Sequence, residues 1–232
     1  MKIVVPLAGP DFERPDSGVK ATIEIDGQPL LRRALETRPW WTRGQVGPTD
    51  LIFVLRDTPA SQRFAHDTLP HWYPGATTVS VGRFTRGAAL SALAGLALMA
   101  DPAEPICVDL ADIEYRSTLD PVERFVATGA GGIVLTFPSD DPAYSYLRTD
   151  GEGRVVEAAE KRVISGAASA GTYLFRDTPS YLIALAHSLT HADAVMHRDL
   201  FFVCPLVNGL VAHGLDVVLD PVTDVADIKM AI

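Results

Sequence analysis

The sequence predicts an α/β fold in which helices cover a mostly parallel sheet, and three observations support this. Short runs of branched aliphatic residues alternate with helix-forming segments over residues 1–137, the order expected when a chain returns to one sheet through helices. With 232 residues, 47% of them hydrophobic and 21% charged, the chain can fill a large core. Residues 144–175 contain short strands divided by turns, which indicates a small antiparallel insertion.

The first part of the chain predicts five strands and four helices. Lys2 to Leu7 is a β-branched run expected to form a buried strand, and the polar segment Pro10 to Lys20 is the loop after it. Pro29 starts a helix, because proline suits a first helical turn and apolar residues follow at helical spacing. Further strands are predicted at 50–55, 77–81, 105–110 and 132–137, with helices at 59–69, 85–99 and 119–128.

The second part of the chain contains the antiparallel insertion and a return to helices. Strands are predicted at 146–149, 155–159 and 168–175, with a turn at 150–153. Helices are expected at 179–189 and within 197–214, and a last strand at 217–220. Since there is no internal repeat and no low-complexity linker, one domain over residues 1–232 is expected.

Charge and hydropathy exclude several classes of partner. The formal net charge is −9 and there is no basic run, so neither nucleic acid nor an anionic membrane is an expected partner. No apolar run reaches the roughly 20 residues of a membrane span, and the N-terminus lacks the layout of a signal peptide, so a cytoplasmic protein is expected. Cys107 and Cys204 lie in apolar runs and are expected to be reduced and buried.

The opening segment PLAGPDFERPDSGVKATIEIDGQPLL resembles the signature of nucleotidyltransferases that make sugar nucleotides and similar activated alcohols. That family has an Ala-Gly loop after its first strand, then an arginine, then a lysine shortly before an acidic-Gly-x-Pro turn. Small residues let backbone amides approach a triphosphate, and a lysine neutralises its charge. The resemblance implies nucleotide binding by Leu7, Ala8 and Gly9. It implies catalysis by Lys20 and Arg14, with Arg14 one residue away from the position of the arginine in the family loop.

The opening loop also departs from the family pattern. The family usually has Ala-Gly-x-Gly-Ser/Thr-Arg, whereas this chain continues with Pro10, Asp11, Phe12, Glu13 and Arg14. The second glycine is missing, and the two carboxylates would repel a triphosphate. This leaves open a second hypothesis, a nucleotide-binding or regulatory protein that keeps the fold without the reaction.

Two further segments carry the resemblance. RFTRGAALSALAGL resembles the loop and helix that contact the nucleobase, which implies nucleotide binding by Thr85, Arg86, Gly87 and Ala88; an ordinary helix capped by Thr85 is the alternative. Residues 131–176 and 199–214 resemble the acceptor-binding half of short bacterial members linked to surface-polysaccharide biosynthesis. The implied acceptor-binding residues are Asp112, Tyr146, Glu157, Glu160, Lys161, Gly171 and Asn208, with Tyr144 beside them. A solvated strand face is the other interpretation of 157–161.

The resemblance implies a three-layer, Rossmann-like (GT-A-like) fold with a mixed sheet, in which about residues 1–140 bind the nucleotide and 141–232 the acceptor. The implied reaction is attack by a phosphate or phosphonate oxygen of the acceptor on the α-phosphorus of CTP, UTP or dTTP, with release of pyrophosphate. The acceptor is a sugar 1-phosphate or a non-sugar phosphate or phosphonate. A homodimer is left open.

Mg²⁺ is the implied cofactor, since it binds one or two carboxylates together with substrate phosphates. Asp109 and Asp112 follow the fourth strand, where ligands bind in such sheets, and Asp224 is a late candidate. Asp109 is preferred over Asp112 as the catalytic acid, and Asp227 can equally be a helix-start residue. A GT-A glycosyltransferase ranks last, because its Asp-x-Asp motif is absent at 109–112.

Overall fold

The computed structural model describes residues 1–16 and 18–228. Its strands are β1 (Lys2–Pro6), β2 (Glu24–Ile25), β3 (Gln28–Pro29), β4 (Leu51–Arg56), β5 (Thr77–Val81), β6 (Ile106–Asp109), β7 (Ile113–Arg116), β8 (Gly132–Pro138), β9 (Tyr146–Thr149), β10 (Val155–Ala159), β11 (Ala167–Phe175), β12 (Val217–Pro221) and β13 (Thr223–Asp227). Its helices are α1 (Leu30–Glu36), α2 (Pro39–Thr42), α3 (Pro59–Arg63), α4 (Leu69–Trp72), α5 (Ala88–Leu96), α6 (Pro121–Thr128), α7 (Thr178–Thr190), α8 (Ala192–Val195) and α9 (Leu206–Ala212).

Nine of these strands form one mixed sheet. Strands β5, β4, β1 and β6 are parallel neighbours, and β11 continues the sheet antiparallel to β6. Along one edge of β11, residues 172–175 pair with β6 and residues 167–168 pair with β9, so the insertion β9–β10 begins where β6 ends. β8 pairs with the other edge of β11, and β12 is parallel to β8. The predicted α/β class and antiparallel insertion are confirmed.

The sheet separates two hydrophobic clusters, which gives the three layers. Side chains of a strand alternate between faces, so Ile3 and Val5 enter one cluster while Val4 enters the other. The first cluster lies under α1 to α4 and α6, and the second under α5, α7 and α9. Because both faces are covered, the central parallel strands β1, β4 and β6 are mostly apolar and buried, whereas the edge strand β5 (TTVSV) is partly exposed.

Several elements differ from their predicted form. The helix predicted at 59–69 is divided by a π-helical turn at Phe64–Thr68, since Pro70 has no N–H to donate to the preceding turn. Helix α5 starts at Ala88, because Gly87 has φ 110° and ψ 170°. Residues 223–227 form β13, antiparallel to β7, so Asp227 itself lies in a strand, while a helix starting at Asp227 would fall largely outside the described residues. Within the described residues, no helix is long and apolar enough to cross a bilayer.

Candidate active site

A cavity of about 700 Å³ opens where β1 and β6 end. The opening loop, the segment 84–91, the turn 110–113, the insertion and the loop 197–203 all contribute to its wall. These walls meet at the carboxyl ends of the parallel strands, the edge at which open α/β sheets bind ligands. Its volume suits a ligand of nucleotide size.

The opening loop brings Lys20 to the cavity and leaves Arg14 outside it. Leu7, Ala8 and Gly9 line the wall, and the Lys20 amide donates to the Phe12 carbonyl (2.7 Å), which folds the loop back on itself. The Lys20 side chain is 21% exposed and lines the same wall. Arg14 instead lies outside the wall, where its Nε donates to Asp16 (3.3 Å).

Asp11 and Glu13, the two acidic residues that depart from the family pattern, have different surroundings. The Glu13 carboxylate lies 2.6 Å from an Arg56 nitrogen and accepts hydrogen bonds from Thr58 and Ser61, outside the cavity. Burial raises the pKa of Glu13, but these hydrogen bonds and Arg56 outweigh it and lower the pKa overall. Asp11 lines the cavity, with an oxygen 3.9 Å from Lys20 Nζ. Of the two carboxylates expected to repel a triphosphate, the structure therefore brings Asp11 alone to the cavity.

Asp109 and Asp112, three residues apart, have opposite environments. Asp109 is fully buried, and Arg38 donates to both of its oxygens, from Nε at 2.7 Å and from a terminal nitrogen at 3.0 Å. Asp112 lines the cavity. The structure thus places Asp112 at the cavity, and not Asp109, the residue preferred as the catalytic acid. The Asp109 carboxylate is bound instead by Arg38, a buried arginine that follows α1.

Gly171 lies directly against Asp112. It has φ +74° at the break in the register of β11, and a Cβ built on it would lie 3.0 Å from an Asp112 oxygen. The Gly171 carbonyl accepts a hydrogen bond from the Leu110 amide (3.0 Å), which ties the strand to the turn carrying Asp112. A glycine is therefore required here for both the backbone conformation and the space.

The predicted nucleobase segment forms another wall of the cavity. Thr85, Gly87 and Ala88 line it, whereas Arg86 points to Met196 and Asp199. Thr85 donates to the Gly87 carbonyl (3.1 Å), and α5 has no side-chain cap, which removes the support for Thr85 as an ordinary helix cap.

The insertion contributes Glu160 and Lys161 to the cavity, as expected of the acceptor side. Ser145 donates to Glu160, and Tyr144 lies beside them in the wall. Lys161 has φ 50°, a conformation that costs a residue with a side chain about 1–3 kcal/mol and that clusters at functional sites.

Besides Arg14, Arg86 and Asp109, four more predicted site residues lie away from the cavity. Tyr146 is buried, with its hydroxyl donating to the Asp141 carbonyl (2.6 Å). Hydrogen bonds from Arg148 and Arg162 lower the pKa of Glu157 against the opposing effect of burial, and they hold it on the solvent side of the insertion. The other two are Asn208, which bonds both backbone groups of Ala158, and Asp224, whose exposed carboxylate lies 3.3 Å from Arg116.

Sequence reasoning missed the loop 197–203, which contributes His197 and Arg198 to the cavity. His197 and Leu200 exchange backbone hydrogen bonds (3.1 Å each) around a two-residue turn in which Arg198 and Asp199 have φ 50° and 60°. Such turns favour Asn-Gly, so Arg-Asp offered no signal for it. Ala111, Lys161 and Arg198, half of the six non-glycine residues with positive φ in the described chain, line the cavity.

The described residues contain no group of three His, Cys, Asp or Glu side chains able to hold a metal ion. Asp227, however, is paired with Ile113 across β13 and β7, and the Ile228 amide donates to the Asp112 carbonyl (3.2 Å). This brings the backbones of Asp112 and Asp227 side by side. One or two carboxylates fit Mg²⁺ that arrives with phosphate ligands, rather than a permanently bound ion.

The chain has a nucleotidyltransferase-like α/β fold. A nucleoside-diphosphate-sugar pyrophosphorylase from Vibrio cholerae RC9 is similar over 96% of this chain and 93% of its own, with a TM-score of 0.79 and 21% identity. The inositol-1-phosphate CTP transferase from T. maritima matches 100% of this chain and 91% of its own (TM-score 0.70, 12% identity). A UDP-glucose pyrophosphorylase complexed with UDP-glucose matches 98% and 92% (TM-score 0.69, 16% identity).

These similarities establish the fold and the structural likeness to nucleotidyltransferase enzymes. No protein-family model matches the sequence, and no curated protein sequence is significantly similar to it.

Proposed function

We propose that this protein transfers a nucleoside monophosphate from CTP, UTP or dTTP to a phosphorylated small molecule and releases pyrophosphate. One observation carries the proposal: a single cavity brings together Lys20 from the opening loop, Asp112 from the end of β6 and Lys161 from the insertion. Phosphoryl chemistry of this kind depends on alignment and charge neutralisation. Three charged groups from distant parts of the chain supply both.

The nucleotide lies, in this proposal, against residues 1–140. Backbone groups of Leu7 to Gly9 approach the phosphates, and Lys20 neutralises charge on them. The segment Thr85 to Ala88, at the N-terminus of α5, contacts the base. Arg14 has no role in this arrangement, because its guanidinium lies on the outside of the loop.

The acceptor lies against residues 141–232. Lys161 binds its phosphate or phosphonate, and Arg198 adds a second cation on the same wall. Glu160 and Tyr144 face the remainder of the acceptor, where a carboxylate orients hydroxyl or amine groups. The acceptor oxygen is then held for attack on the α-phosphorus.

Asp112 would hold Mg²⁺ together with the phosphates of the nucleotide; Asp227, whose backbone pairs beside it but which does not line the cavity, is the candidate for a second carboxylate. The ion would neutralise negative charge on the phosphates. The charged side chains of the cavity supply the rest beside the backbone of Leu7 to Gly9: Lys20 binds the triphosphate, Lys161 orients the acceptor, and both keep the two phosphorus groups close despite their repulsion. Asp109 and Asp224 have no role as metal ligands in this proposal.

Pyrophosphate release, measured with each nucleoside triphosphate against a panel of phosphorylated acceptors, tests the proposal. Release that requires one triphosphate, one acceptor and Mg²⁺ is the expected result. The position of Asp11 beside Lys20 favours a second candidate, a nucleotide-binding protein without the reaction. Calorimetric binding of a triphosphate with no turnover on any acceptor would support that candidate instead.

We expect the substitution Asp11→Asn to tighten nucleoside triphosphate binding about threefold to tenfold, because one negative charge leaves the wall that faces the phosphates. Titration calorimetry with CTP, UTP and dTTP in turn, with Mg²⁺, measures the change. Asp16→Asn is the matched control, since Asp16 belongs to the same loop but lies outside the cavity. Weaker binding by Asp11→Asn would show that this carboxylate helps to hold the nucleotide complex.

A further inference from the structure

The Arg38–Asp109 ion pair is the most deeply buried charged contact among the described residues. The two side chains are 1% and 0% exposed, and they share two hydrogen bonds of 2.7 and 3.0 Å. Tyr115 lies over the guanidinium at 4.0 Å, and Thr172 donates to Asp109 at 3.4 Å. Neither member of the pair lines the cavity, so the pair does not contact a ligand itself.

The pair holds the chain on both sides of Asp112. Before it, the Ala111 amide donates to an Asp109 oxygen (2.8 Å). After it, an Arg38 nitrogen donates to the Ile113 carbonyl (3.0 Å). The residues that flank Asp112 are therefore bonded to the two halves of one ion pair.

The turn at 110–113 requires this support. Ala111 has φ 53°, a left-handed conformation that a residue with a Cβ adopts only when its surroundings impose it. On the cavity side, the small residue Gly171 leaves the Asp112 carboxylate just enough room. A change in the backbone conformation of this turn would therefore move the Asp112 carboxylate away from its position beside Gly171.

A contribution to the overall stability of the fold does not explain why such a buried ion pair is present. Burying two charges costs desolvation free energy that their attraction often fails to offset, and apolar replacements of similar volume are often neutral or stabilising. We propose that Arg38 and Asp109 are positioning residues that orient Asp112 for the metal–nucleotide complex. The inference rests on the proposed function, because it takes Asp112 as a ligand of that complex.

The first experiment needs no nucleotide. In the double variant Arg38→Met/Asp109→Leu, which leaves no unpaired buried charge, we expect amide hydrogen exchange of residues 110–113 to become at least about tenfold faster. The control is Arg33→Met/Glu114→Leu, which removes the ion pair between α1 and β7 (2.6 Å) outside the turn, together with the contact of Arg33 with the exposed Asp26. Thermal unfolding of both variants measures any general loss of stability. Exchange at the wild-type rate in a folded Arg38→Met/Asp109→Leu protein would overturn the proposal.

The second experiment measures Mn²⁺ binding by electron paramagnetic resonance, with the nucleoside triphosphate that supports turnover by the wild type. We expect the Arg38→Met/Asp109→Leu variant to bind Mn²⁺ about tenfold more weakly, and the control variant to bind it like the wild type. In an Asp112→Asn background, removal of the pair should have no further effect, because residues that act through one another are not additive.

The results distinguish the positioning role of the ion pair from the proposed function. An equal loss of Mn²⁺ affinity with and without Asp112 would overturn the positioning role while leaving the proposed function intact. If the wild type neither turns over nor binds Mn²⁺ with any nucleotide, the proposed function fails, and the exchange rates of residues 110–113 still decide whether the pair holds the turn. If the double variant does not fold, Arg38→Lys, which keeps the charge but not the paired donors, replaces it in both experiments.

Discussion

Replacement of Lys20 by methionine is expected to lower kcat/KM for pyrophosphate release by about 100-fold to 1,000-fold. The Lys20 ammonium is the cation of the opening loop that faces the cavity, and methionine keeps much of its length without its charge. Since charge on the phosphates must be neutralised most in the transition state, the loss should fall mainly on kcat. Steady-state kinetics with the preferred nucleotide and acceptor provide the measurement.

Lys2→Met is the matched control for this variant. Lys2 lies at the opposite end of β1, where it binds Asp50 (2.8 Å), far from the carboxyl edge of the sheet. We expect wild-type kinetics from it. If Lys20→Met also retains wild-type kcat, the catalytic role of Lys20 is refuted, and the cavity must neutralise the triphosphate by other means.

The second large effect concerns stability. We expect Gly87→Ala to lower the free energy of unfolding by about 2–6 kcal/mol, the sum of backbone strain and steric overlap. Gly87 has φ 110° and ψ 170°, a region that glycine alone populates readily, and a Cβ on it would lie 2.2 Å from the Phe201 carbonyl oxygen. The segment 86–89 is bonded to Phe201 on both sides, so relief of the overlap would separate two walls of the cavity.

Urea unfolding measures this effect, with Gly129→Ala as its control. Gly129 also has positive φ (65°), but a Cβ there meets nothing within 4 Å, so we expect a loss of only about 1–2 kcal/mol. Equal losses in the two variants would show that contact with Phe201 contributes nothing.

The α/β fold could be predicted because its signals are local. Apolar runs such as Ile3 to Val5 and the helix-forming segments between the strands follow from residue type and spacing alone. Among the strands that were not predicted, β7 and β13 are short and partly polar, and they pair only with each other. β7 alternates apolar and charged residues, but a pattern of four residues is too short to predict a strand, and its stability comes from the partner strand.

The candidate site was predictable in the loops that carry the family resemblance. Lys20, Gly87 and Lys161 reached the cavity as expected. The choice between Asp109 and Asp112 was not predictable, because it depends on Arg38, which is 71 residues before Asp109 in the chain.

Contacts between residues far apart in the sequence also decide the surroundings of other residues near the site. The arginine that neutralises Glu13 is Arg56, on the neighbouring strand β4. Arg198 reaches the cavity through a strained turn that its own sequence does not favour.

The sequence by itself determined the order of the main strands and helices, the burial of the central parallel strands and most of the loops in which a site would form. Those features depend on residue type and on spacing within about ten residues. The tertiary structure decided which charged groups face the cavity and which neutralise one another inside the protein. The tertiary structure decides these contacts because an ion pair depends on the distance between side chains in space. Arg38 and Asp109 meet only after the sheet has assembled.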